Sequence, residues 1–127
     1  MKNTLITLKY VDENNYKESI NYVLKGEITD EQLNEIAEHL EDGECIIAEE
    51  IGLPTPALQF AEKYDFPTED DHVFTTIQEF QSGIPSAESL HTDLPPTDPN
   101  YTVDDFYTRI IESNGWDITR EYERLGM

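Results

Sequence analysis

Residues Thr29–Asp42, TDEQLNEIAEHLED, read as an amphipathic helix, and the rest of the chain is organised around it. Thr29 is an N-cap, with Gln32 at the third helical position where a capping box places Glu or Gln. Asp30 and Glu31 fall in the first turn, where the helix dipole favours negative charge. Leu33, Ile36, Ala37 and Leu40 recur at i, i+3, i+4 and i+7 and form one apolar face. Glu31, Glu35, Glu38 and Asp42 fall on the opposite face, and Gly43 is expected to end the helix. No Lys or Arg follows any of these acids at i+4, so the usual pair stabilisation of a few tenths of a kcal/mol is missing. Such a face is either simply solvated or kept uncompensated for a basic partner.

The charge extends beyond this helix. The 127 residues carry 28 acidic and 8 basic side chains, a net charge of −20. Between Gly26 and Thr108 a single base, Lys63, stands against 21 acids. Seven Tyr, five Phe and one Trp are spread along the chain, which argues for a folded domain and against an acidic disordered tail. The length suits one α+β domain, residues 1–127. Cys45 is the only cysteine, so no internal disulfide can form. The short, broken apolar run of MKNTLITLKY does not read as a signal peptide and no 18-residue apolar stretch exists, so the expected location is cytoplasmic, away from membranes.

Working outward, residues 4–11 alternate as a strand, with Ile6, Leu8 and Tyr10 on one face. Residues 16–24 alternate again beyond a polar turn, which gives an N-terminal β-hairpin. Residues 44–51 and 73–80 are further candidate strands. Thr55 and Pro56 resemble an N-cap and first helical position, opening a short helix to about Tyr64 with Ala57, Ala61 and Tyr64 aligned. Residues 81–101 hold four prolines and no periodicity; a surface-wrapping loop pinned by Ile84, Leu90 and Leu94 is expected. Thr102 and Asp117 cap two C-terminal helices. Val103, Phe106, Tyr107, Ile110 and Ile111 line the first, which stops at Asn114-Gly115. Ile118, Tyr122 and Leu125 line the second, with Trp116 a core anchor at their join. Arg109, Arg120 and Arg124 are expected to pair locally with Glu112, Glu121 or Glu123. The predicted fold is a small antiparallel sheet, the hairpin plus one to three further strands, packed against the central helix and the two C-terminal helices.

Chemistry is sparse. HExxH, paired cysteines, the calcium-loop pattern, GxSxG, Walker-type loops and GxGxxG are all absent. Asp70, Asp71 and His72, with His91 from the long loop, are the residues a metal-assisted enzyme would use. The chain is nevertheless read as non-catalytic, with no metal and no cofactor. Direct nucleic-acid binding fails on sign, because phosphates need clustered Lys and Arg.

Inverting that sign gives the expected function. Carboxylates at 31, 35, 38 and 42 recur every 5–6 Å of helix rise, roughly the order of the 3.4 Å axial spacing of phosphates on one DNA strand. Such a face can occupy the Lys and Arg sites of a nucleic-acid-binding protein as a nucleic-acid mimic. In composition and size the chain is similar to small acidic proteins that phages and plasmids encode against restriction or CRISPR enzymes. The expected contacts are Glu31, Glu35, Glu38 and Asp42, extended by Glu49, Glu50, Glu69, Asp70, Asp71, Asp104 and Asp105. A general protein-interaction domain, with the acid serving solubility, is the alternative.

Overall fold

The computed structural model describes residues 2–64, 66–68, 71–113 and 115–127. Its order is β1 (Asn3–Val11), β2 (Lys17–Leu24), α1 (Asp30–His39), β3 (Cys45–Ile46), α2 (Pro56–Lys63), β4 (Thr75–Ile77), α3 (Ala87–Leu90), β5 (His91–Thr92), α4 (Val103–Ile111) and α5 (Ile118–Arg124). The fold is α+β, as predicted, with five strands in one antiparallel sheet among the described residues.

β1 is the centre of that sheet. It pairs with β2 from Thr4–Leu24 to Val11–Lys17. Its other edge is shared by β4, at Leu8 and Lys9, and β5, at Asn3 and Thr4. At Thr7, between these two short partners, the Glu79 carboxylate accepts the backbone N–H at 2.9 Å. A buried amide without a partner is costly, so this acid completes the sheet. The register puts Ile6, Leu8 and Tyr10 on the same face as Tyr22 and Leu24, and all five are buried. Leu33 and Ile36 of α1, Leu40 at its C-cap, and Val103, Phe106 and Ile110 of α4 cover this face. Tyr10 packs edge-on to Phe60 of α2, centroids 4.9 Å apart. The other face, with Thr7, Lys9 and Val11 on β1 and Lys17, Ser19 and Asn21 on β2, is half-buried to exposed.

Several elements are shorter than the sequence predicts. Residues 44–51 give only the two-residue β3, followed by a 3-10 turn at Ala48–Ile51. Ile46, Ile47, Ala48 and Ile51 are all buried, which a strand with one wet face cannot achieve. Turning after Ile46 sends Ile47 into a separate cluster with Val73 and Leu125. Residues 73–80 likewise give β4 and then a 3-10 turn at Gln78–Phe80. α1 stops at Leu40, before Gly43. Asp42, Gly43 and Glu44 form the three-residue loop of a tiny hairpin, Asp42 and Gly43 with positive φ, in which Glu41 and Cys45 exchange backbone hydrogen bonds.

The Pro-rich stretch is more ordered than its composition suggests. It contains α3 and β5, each too short to show a period. Ser86 caps α3, and the Asp30 carboxylate accepts the Ala87 N–H at 2.8 Å. Leu90 is buried as expected, but Ile84 and Leu94 are exposed; the pins are Ala87, Leu90 and Tyr101. Thr97 exchanges two hydrogen bonds with the Val23 backbone and so covers part of the β2 edge.

In α2 the buried side is Pro56, Ala57 and Phe60, while Ala61 and Tyr64 are exposed. The Thr55 hydroxyl makes no cap, because it accepts from Arg124 at 2.8 Å. In α5 Ile118 and Tyr122 are exposed, and the helix is buried through Glu121 and Leu125. Arg124 pairs locally with Glu121 in a two-pronged contact of 2.6 and 2.8 Å. Arg120 instead reaches Glu49 at 2.9 Å, and Arg109 donates to the Ile51 carbonyl. Trp116 lies against both the main core and the Ile47 cluster, as an anchor should. The expected stop at Asn114 lies outside the described residues.

Two measurements check this packing. Arg124→Met strands the Glu121 carboxylate in the interior and is expected to cost about 3 kcal/mol in urea unfolding, most of it recovered when Glu121→Leu is added. Gly52 has φ +76°, a conformation that costs an L side chain roughly 1–2 kcal/mol, and a Cβ there would touch Arg109. Gly52→Ala should therefore lower the thermal midpoint measurably.

Candidate partner-binding face

The acidic face is built by two helices that lie side by side. Lys25 and Thr102 form a parallel bridge just before them, with the Val103 N–H donating to the Lys25 carbonyl at 2.9 Å. One turn in, Gln32 Nε2 donates to Asp104 Oδ1 at 3.2 Å. A further turn on, the Tyr107 hydroxyl donates to Glu35 Oε2 at 2.5 Å. Both contacts span 72 residues, so α1 and α4 run parallel and in step.

The sequence dictates this pairing end by end. Each helix opens on a capping box, Thr29 with Gln32 and Thr102 with Asp105, so both starts are fixed. Parallel helices bring two positive dipole ends together. Asp30 and Glu31 in one first turn, and Asp104 and Asp105 in the other, offset that charge.

Four of the expected residues converge here. Glu31, Glu35 and Glu38 are exposed along α1, separated by about 6 and 4.5 Å of rise, and Asp104 is exposed beside them on α4. Among the described residues no Lys or Arg lies within ion-pair distance of any of the four. The hydrogen-bond partners of Glu35 and Asp104 are a neutral phenol and a neutral amide. The Tyr107 phenol is held above its ordinary pKa by its bond to Glu35.

The other expected residues are placed elsewhere or used by the fold. Asp42 has left the helix and sits in the tight turn. Glu49 is paired with Arg120. Glu50 accepts the Asp117 N–H at 2.9 Å, at the start of α5. Asp71 accepts from the Thr68 N–H and the Tyr10 hydroxyl. Asp105 accepts the Thr102 N–H at 3.0 Å, which together with the Thr102 hydroxyl holds its carboxyl below the usual range. Glu69 and Asp70 lie outside the described residues.

Two residues of the face were missed. Glu27 joins Lys25, Thr102 and Asp104 around a concavity of about 280 Å³ at the shared helix start. Its place just ahead of the Thr29 cap was the available signal. Tyr107 was read as part of an apolar stripe; its hydroxyl instead orients Glu35.

The histidines do not meet. His72 contacts the Val11 carbonyl and His91 the Ile28 carbonyl, and their strand partners place them at opposite ends of β1. Among the described residues no group of three His, Cys, Asp or Glu is placed to hold a metal ion, and no helix is long and apolar enough to cross a membrane. The chain matches no family model, no curated protein sequence and no solved structure.

The Asp105 cap gives a pH test with a defined sign. A lowered folded-state pKa means the stabilisation is complete above the ordinary carboxylate value and is lost as pH falls through the lowered one. The thermal midpoint of Asp105→Asn should therefore lie below the parent's at neutral pH, and the gap should close in strong acid.

Proposed function

We propose that the chain is a non-catalytic acidic binding protein whose α1–α4 face occupies a cationic site on a nucleic-acid-binding protein. The single observation that carries this reading is the in-step, parallel seam. It sets Asp104 beside the row Glu31, Glu35 and Glu38, with no Lys or Arg within ion-pair distance of these four among the described residues. Two adjacent helices lie about 8–10 Å apart, so the face presents anions in two dimensions, as a duplex groove edge does. A site built from Lys and Arg to receive phosphates would meet carboxylates at comparable spacing.

The mechanism is competitive occupancy. The negative field steers the protein to a basic groove, and the docked helices exclude the nucleic acid. Host-defence nucleases, the targets of small acidic proteins from mobile elements, are the partner class this reading favours.

The test is capture from a bacterial lysate on the immobilised protein, followed by elution with a DNA duplex. Captured proteins should be released by DNA and by raising salt from about 50 to 500 mM, because the screening length of exposed charges falls from roughly 14 to roughly 4 Å over that range. The variant Glu31→Gln/Glu35→Gln/Glu38→Gln/Asp104→Asn should keep its circular dichroism spectrum and lose binding by at least about tenfold. Capture that ignores both DNA and salt, or survives the quadruple change, would sink the reading.

A further inference from the structure

The open face of the sheet carries a different kind of site. A concavity of about 500 Å³ lies across β1, β3 and β4, lined by Lys9, Val11, Lys17, Cys45, Phe74 and Thr76 among others. Its size is within the range of small-molecule pockets. Its charge is the reverse of the chain's: two lysines line it against one carboxylate, Glu44, while acids outnumber bases 28 to 8 overall.

The positive charge here is not neutralised. Lys63, Arg120 and Arg124 each hold a carboxylate within 3 Å. Lys9 donates instead to the neutral Gln81 Oε1 at 3.2 Å, and neither Lys9 nor Lys17 reaches an acid within ion-pair distance among the described residues. Lys17 is the cross-strand partner of Val11, so Lys9 and Lys17 are diagonal neighbours on one face, about 7–8 Å apart at the backbone. Two long ammonium side chains at that separation can close on one anionic group.

The walls supply the rest. Val11 and Phe74 give an apolar side, and Thr76 and Gln81 give hydrogen-bonding groups. The end wall is preorganised. One nitrogen of the His72 ring meets the Val11 carbonyl at 2.7 Å, and the other accepts the Phe74 N–H at 3.1 Å.

We infer that this cavity binds a small organic anion, with a phosphate or carboxylate group between Lys9 and Lys17 and a planar apolar part against Val11 and Phe74. The site is on the sheet, in the layer opposite the acidic helices, and is independent of the proposed partner face.

Cys45, the sole cysteine, lines the cavity and is its built-in reporter. Burial pushes its thiol above the ordinary pKa, so alkylation is followed at alkaline pH. The probes are phenyl phosphate and benzoate, which separate the two anion sources, with inorganic phosphate as the ring-free control. At least one aryl anion should slow Cys45 alkylation and shift the backbone amide resonances of Lys9, Val11, Lys17 and Thr76. Lys9→Gln and Lys17→Gln should each weaken binding by about tenfold, while Glu35→Gln leaves it unchanged. Inorganic phosphate should bind more weakly than the better aryl anion. Shifts confined to other surfaces, no protection by either aryl anion, or lysine variants that bind as tightly as the parent would overturn the assignment. Equal affinity for inorganic phosphate would overturn the planar part of it.

Discussion

Everything in this molecule hangs on the register of β1 against β2. With Thr4 opposite Leu24 and Val11 opposite Lys17, every even-numbered side chain from Thr4 to Tyr10 points toward the helices. A slip of one residue would send Ile6, Leu8 and Tyr10 to solvent and bring Lys9 and Thr7 into the core. The same register places Lys9 and Lys17 together on the open face and fixes the strand to which β4 and β5 attach. The apolar layer, the acidic helix layer and the lysine-lined cavity are three consequences of one alternation.

A chain with 28 acids and 8 bases cannot neutralise its carboxylates with ammonium or guanidinium groups. The fold uses backbone N–H groups and phenols as donors instead. Glu79 closes the edge of β1 at Thr7, Asp30 holds Ala87, Glu50 holds Asp117, and Asp105 caps α4. Tyr10 donates to Asp71 and Tyr107 to Glu35. These contacts order the carboxylates without removing their charge. Much of the acid is therefore structural as well as electrostatic, and only a subset is left facing solvent.

The parallel seam of α1 and α4 follows from the same economy of cations. Two helix starts held together by a β-bridge at Lys25 and Thr102 concentrate partial positive charge, and acids in both first turns compensate it. Farther along, at Glu35 and Glu38, carboxylates accumulate beyond the first turn, where no dipole answers them. On the opposite layer the imbalance is reversed at a small scale, where a neutral glutamine is the acceptor for Lys9.

Local signals decided what could be read from residues alone. The boxed caps at Thr29 and Thr102, the alternation of β1 and the period of α1 and α4 each arise within a few neighbouring residues, so the sequence determined those elements and the α+β class. Only tertiary contact decided the rest. Residues 44–51 broke early because Ile47 joined a second cluster with Val73 and Leu125, which no alternation could announce. α5 turned its acid inward because Arg124 could reach both Glu121 and Thr55, overriding the Ile118–Tyr122 period. The candidate face was half legible: the row on α1 is a matter of spacing, whereas Asp104 joins it and Asp105 does not because one residue of helical rotation points them to different neighbours. The lysine cavity was not legible at all, since it needs a strand diagonal and residues more than sixty positions apart. Periodicity reports which way a side chain points from its own backbone; it carries no information about what another segment places there.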